Sequence, residues 1–167
     1  MAYGKSYAPY KRTGKPEYKN FRVKTPIKSF RDLEVYSETV KYSAEIFNIV
    51  SRVRRKKVSG RLNDEFKKLY ELSKYVPKLI AESYGDKFTS MALAVKKLED
   101  SMRLIANLVT KIDCLVGLIE DEEIREDLVK IIAKYQKQRV KINNLRKAWT
   151  RVFQTPKNYR EEELKKT

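Results

Sequence analysis

The sequence predicts an all-α fold, an up-and-down antiparallel four-helix bundle preceded by a disordered basic N-terminal arm. Apolar residues recur at spacings of three and four over four long segments. Glycine and proline interrupt those segments where hairpins would turn, and no segment carries a strand signal. Four amphipathic helices with short connections define such a bundle. A continuous coiled-coil dimer would use the same stripes, but Gly60, Pro77 and Gly85 break the chain. With 167 residues, 41% of them hydrophobic, the chain can bury a core without disulfides or metals.

Residues 1–27 differ from the rest of the chain. They hold Pro9, Pro16, Pro26, Gly4 and Gly14, and seven Lys and Arg against the single acid Glu17. Tyr3, Tyr7, Tyr10, Tyr18 and Phe21 are interleaved with that charge. Too few aliphatics are present to offset the ordering entropy, so the segment is expected to be disordered on its own.

The first helix is expected from Ser29, which with Asp32 approximates a capping box. Leu33, Tyr36, Val40, Ala44, Phe47 and Val50 share one face, and the helix runs out near Lys57, before Val58-Ser59-Gly60. Asn63 reads as the N-cap of the second helix, with Asp64 and Glu65 placed against its dipole. Its stripe is Phe66, Leu69, Tyr70, Ser73, Val76 and Ile80. Pro77 removes an amide donor and should bend it, and Gly85 closes it. The third helix is the plainest. Phe88, Met91, Val95, Leu98, Met102, Ile105, Val109, Ile112, Val116 and Ile119 alternate threes and fours over about 32 residues, roughly 48 Å. Leu104, Leu108, Leu115 and Leu118 widen its face beyond what one core should use, which predicts an interface between copies. The acidic turn Glu120–Glu123 suits the head of a fourth helix whose stripe is Ile124, Leu128, Ile131, Tyr135, Ile142, Leu145, Trp149 and Val152. Pro156 ends it, so the bundle occupies 28–155 and a short charged tail 156–167.

Two stretches carry a family resemblance. Phe30-Arg31-Asp32-Leu33-Glu34-Val35-Tyr36, followed by Ala44-Glu45-Ile46-Phe47, resembles the opening helix of a bacterial four-helix-bundle family. That family comprises the proteins encoded in rRNA intervening sequences and the accessory variability determinant proteins of diversity-generating retroelements. Val76-Pro77-Lys78-Leu79-Ile80-Ala81-Glu82-Ser83-Tyr84-Gly85 is similar to its pattern of Ile-Pro, two residues, then Ile-Ala-Glu-Gly-Tyr-Gly. The match covers roughly residues 28–152 in helix order and spacing. Leu79 stands where the family has Asn, Ser83 where it has Gly, and the basic arm is extra. In the retroelement branch the resemblance implies a homopentameric barrel that binds a reverse transcriptase and its template RNA.

Charge points to the partner: 38 Lys and Arg against 22 Asp and Glu give +16, an excess that attracts phosphate polyanions. Catalysis has little to work with. The chain has no histidine, and its one cysteine, Cys114, has no partner for zinc or for a dyad. Cys114 lies among apolar neighbours and reads as a core or interface residue. All five glycines are isolated, so no phosphate loop exists, and Glu120–Asp127 reads as dipole complement and solvated surface rather than a metal site. Glu82 reads as structural. No catalytic residue, cofactor or metal is expected. A lone cysteine, no signal-peptide pattern and no long apolar run predict a cytoplasmic chain without a membrane span.

Three groups of residues are the candidates for nucleic-acid binding. Lys130, Lys134, Lys137 and Lys141 form one ridge on the fourth helix, continued by Arg151 and flanked by Arg139, Arg146 and Lys147. No acid occurs from Leu128 to Tyr159, so the ridge is expected to forgo the mixed-sign pairing of a solvated face. Arg52, Arg54, Arg55, Lys56 and Lys57 form the second group, more cations than a helix dipole needs. The third is the arm, where Lys11, Arg12 and Lys15 would hold phosphates and Tyr10 and Tyr18 stack on bases. Nothing resembles base readout in a DNA major groove, so RNA, or an RNA–cDNA hybrid, is the expected ligand. The expected function is a non-catalytic accessory subunit of a retroelement reverse transcriptase, acting as a homo-oligomer. An intervening-sequence-type RNA-binding bundle, or an interaction bundle for an acidic protein partner, remain the alternatives.

Overall fold

The computed structural model describes residues 27–56 and 58–154. Among them are four α-helices, α1 Glu34–Arg55, α2 Gly60–Asp86, α3 Met91–Leu118 and α4 Glu122–Gln154, a 3-10 turn at Phe30–Asp32 and no strand. The all-helical bundle expected from the apolar periodicity is what the chain forms. Each helix packs on its neighbours in sequence and α1 also packs on α4. The expected arm, residues 1–27, lies outside the described residues but for Ile27, and so do Lys57, residue 155 and the expected tail 156–167.

Helix starts follow side-chain acceptors, though not always the expected ones. Ser29 and Asp32 do form a capping box: Asp32 Oδ2 accepts the Lys28 and Ser29 amides, each at 2.9 Å. Those amides hold the Asp32 carboxyl below its ordinary range. The box closes the 3-10 turn, and the α-helix proper starts after Leu33. The second helix begins earlier than expected. Ser59, not Asn63, is its N-cap, accepting the Leu62 amide at 3.4 Å. Serine satisfies an orphan amide as well as asparagine does, and the extra turn lays Leu62 against the core. Gly85 lies inside α2 rather than closing it. Ser90 caps α3 through the Leu93 amide at 3.3 Å, which leaves Phe88 outside the helix and 71% exposed.

The buried face of α1 also differs from the expected stripe. Val35, Thr39, Tyr42, Ile46, Ile49 and Val53 point inward, while Val40, Ala44 and Phe47 are exposed. Both sets have helical spacing, so periodicity alone cannot choose between them. The observed choice brings the Tyr42 ring edge-on to Tyr135, centroids 5.5 Å apart, and turns Glu34, Glu45 and Arg52 towards α4. On α3, Leu108 and Leu115 belong to the core, Leu104 is half-buried against it, and only Leu118 of that set is exposed. The surplus expected there as an interface is mostly consumed inside the bundle. Cys114 is exposed, contrary to a core position. On α4 the expected stripe is buried from Ile124 through Trp149 except for the half-buried Leu145, but Val152 is 73% exposed. Gln138, passed over by the apolar pattern, fills the place between Tyr135 and Ile142 at 1% exposure.

Pro77 is buried inside an α2 that continues through it. Its missing amide would have served the Ser73 carbonyl four residues back. Ser43 of α1 supplies a substitute donor: its hydroxyl lies 3.0 Å from Ser73 O and 3.1 Å from Thr39 O on its own helix, so the two carbonyls share one proton. Pairs across the other interfaces are mostly ionic. Glu65–Lys111 and Asp86–Lys97 link α2 to α3, and Glu99–Arg146 links α3 to α4. Glu34–Lys141, Glu45–Lys134, Arg52–Asp127 and Lys56–Asp121 link α1 to α4.

Candidate nucleic-acid interface

The fourth helix presents its cations on three sides, and each side has a different fate. Lys130, Lys134 and Lys141 lie on the flank that meets α1. Lys134 Nζ sits 2.5 and 2.7 Å from the two carboxylate oxygens of Glu45 and 5.7 Å from the centre of the Tyr42 ring. Lys141 pairs with Glu34. Lys130 reaches Asp127 at 3.3 Å and Glu126 at 3.8 Å on its own helix. The expectation of a ridge without ion pairs is therefore corrected for Lys130, Lys134 and Lys141: α4 lacks acids there because α1 and the acidic first turns supply them. Each exposed pair adds little stability, but it cancels the local field a phosphate would feel.

The cluster at the end of α1 divides in the same way. Arg52 holds Glu123 at 2.9 Å and also Asp127, and Lys56 holds Asp121. These cations keep the Asp127 and Asp121 carboxyls below their ordinary range. The run from Glu120 to Asp127 is thus a docking strip for the tail of α1 as well as a dipole complement. Arg54 and Arg55 remain exposed, with no ion pair among the described residues.

On the opposite flank, Arg139 and Arg146 face α3. They line a groove of about 790 Å³ with Glu99, Met102, Arg103, Gln136, Val140 and Asn143. Arg146 is fixed from two directions, by Glu99 at 2.9 Å and by Asn143 Oδ1 at 3.3 Å. Arg103 pairs with Asp100 on its own helix at 3.3 Å, and Arg139 is exposed with no ion pair among the described residues. Arg103 is not legible as a site residue in the sequence. Its only signal is a cation off the apolar stripe of the third helix, and its neighbours across the groove emerge only from packing. The outermost line of α4 carries Lys137 and Lys147, exposed and without ion pairs among the described residues, and the exposed Arg151.

The described residues contain 26 Lys and Arg against 18 Asp and Glu, a net of +8, so half of the charge lies elsewhere in the chain. Lys11, Arg12, Lys15, Tyr10, Tyr18 and Lys57 lie outside the described residues. No group of three or more His, Cys, Asp or Glu among the described residues is placed to hold a metal. No described helix is long and apolar enough to cross a membrane. Comparison with protein-family models, curated proteins and solved structures finds no match.

Proposed function

We propose that this chain is a non-catalytic RNA-binding protein, working as a homo-oligomeric accessory subunit of a retroelement reverse transcriptase. Its helices then form an up-and-down antiparallel bundle, a reading favoured by the order of the cross-helix pairs. Partners fall in number along one helix as they rise along the other, as in Glu34–Lys141, Glu45–Lys134 and Lys56–Asp121.

One observation carries the binding role. From Leu128 to Gln154, α4 holds eight Lys and Arg and no acid, and Lys137, Arg139 and Lys147 stand exposed without ion pairs among the described residues. A surface that keeps cations free of carboxylates is suited to phosphate. The seven cations and interleaved tyrosines of residues 1–26 add to the same chemistry. The accessory role rests on the resemblance of the Phe30–Tyr36 and Val76–Gly85 stretches. Oligomerisation is supported by exposed apolar side chains on α1, Val40 at 41% and Phe47 at 50%.

The test is binding of a labelled single-stranded RNA, read by anisotropy across a salt series. Three contacts at about 0.7 each give a log–log slope of about −2 or steeper. No binding at about 50 mM salt, or equal competition by poly-glutamate, removes the RNA reading and favours an acidic protein partner. A reverse transcriptase gene beside this one supports the accessory role. Its absence removes that role and leaves RNA binding standing.

A further inference from the structure

The α3–α4 groove brings cations, apolar side chains and side-chain amides together. Arg103 enters from α3, Arg139 and Arg146 from α4, and all three guanidiniums line the same space. Glu99 is the one carboxylate among the lining residues and is engaged by Arg146; Asp100 beside the groove pairs with the exposed Arg103, so Arg139 is the lining cation without an ion pair among the described residues. Between the cations lie the apolar side chains of Met102 and Val140, the latter 61% exposed, and the side-chain amides of Gln136 and Asn143.

Each of these groups matches one part of a polynucleotide. A guanidinium holds phosphate oxygens in a two-pronged grip and lies flat against a base. Met102 and Val140 offer an apolar surface to a base or sugar face. Amide side chains both donate and accept, which is what base edges require. A duplex stacks those base faces away, so the apolar groups would go unused against double-stranded RNA. The lining runs along α4 from Gln136 to Arg146, about 15 Å at 1.5 Å per residue. That length accommodates a short run of nucleotides.

We propose that the α3–α4 groove is the seat of a single-stranded RNA segment, with Arg103 and Arg139 gripping its phosphates and Arg146 held at the same groove by Glu99. This rests on the RNA-binding function proposed for the chain and adds to it a location, a strand state and a residue from α3. The ion-paired α1–α4 flank takes no direct part.

Arg139 has no ion pair among the described residues, and Arg103 pairs only within its own helix, so replacing them breaks no ion pair between helices. Arg146 bridges α3 and α4 and is left unchanged. The experiment compares the full chain with the double variant Arg103→Gln and Arg139→Gln, and with a control of equal charge loss, Lys67→Gln and Lys68→Gln on α2. Binding of labelled oligouridylate is followed against salt, with circular dichroism melts checking the fold. The groove variant is expected to bind about tenfold more weakly for each guanidinium removed, and its salt slope to flatten by about 1.4. The control should lose several-fold at most. Equal losses in the two variants, with wild-type binding intact, overturn the groove and leave RNA binding in place. No wild-type binding overturns the functional reading itself. Competition by uridine monophosphate as strong as by the oligomer, at equal phosphate, makes the groove a simple phosphate site and overturns the strand.

Discussion

The hydroxyl of Ser43 on α1, shared with Thr39 O of its own helix, reaches the carbonyl of Ser73 on α2 at 3.0 Å, and that carbonyl is the one Pro77 deprives of its amide. A helix break written into one segment is thereby repaired by a hydroxyl from another. Ser43→Ala should leave the buried carbonyl unpaired and cost about 1–3 kcal/mol in urea unfolding. Pro77→Ala restores the amide, so Ser43→Ala should cost much less in that background. Additive losses in the double variant would show that the two residues act independently.

Lys134 and Glu45 make a second cross-helix pair with a measurable consequence. Lys134→Glu sets two carboxylates against each other and should destabilise the bundle, while Lys137→Glu, exposed and without an ion pair among the described residues, should not. Combining Lys134→Glu with Glu45→Lys should recover most of the loss, on the order of 1 kcal/mol or less for a pair this exposed. The readout is the urea midpoint of the four proteins. Identical midpoints for the two single variants would mean that the pair contributes nothing to holding α1 on α4.

Gln138 is 1% exposed, and neither polar atom of its amide has a hydrogen-bond partner among the described residues. Replacing an unpaired buried amide by an apolar side chain of similar length removes a desolvation cost. Gln138→Leu should raise stability by about 1 kcal/mol. A lowered melting temperature would contradict this and assign the amide a stabilising partner.

Stability should decline on both sides of neutrality. Hydrogen bonds from Lys111 and then Lys68 hold the Glu65 carboxyl down to about 2, from an ordinary 4.5. A depressed acid contributes stability above its unfolded pKa and loses it as pH falls, so this contribution disappears between about 4.5 and 2. Burial first, and then Glu38, push the Tyr42 hydroxyl up to about 12, from 10. The folded state keeps that proton longer than the unfolded one, so stability present below pH 10 is lost as pH rises towards about 12. Thermal melts across pH should show both limbs, and Glu65→Gln should flatten the acid one. An unchanged acid limb in that variant would place its origin in other carboxylates.

Elements whose apolar pattern admits one solution were legible in the sequence. On α4 the only apolar stripe is the one that is buried, and the chain follows it from Ile124 to Trp149. Where two stripes compete the pattern cannot decide: α1 buries Tyr42 and Ile46 and leaves Val40 and Phe47 outside, because packing on α4 selects the face. The same gap explains the site. Lys134 and Lys141 belong to an acid-free segment of their own helix, so their cations looked free. Glu45 and Glu34, some ninety to a hundred residues away in sequence, neutralise them across the interface. Arg139 was legible as a cation, but the groove it shares with Arg103 exists only once α3 lies against α4.

Native mass spectrometry of the full chain, with and without a single-stranded RNA, tests the proposed RNA-binding oligomer most directly. An oligomer of the 19.7 kDa chain is expected without RNA, five copies if the family resemblance holds, with its mass rising by whole RNA strands on addition. Monomers at micromolar concentration would remove the oligomer. A spectrum unchanged by RNA would contradict the function proposed for this bundle.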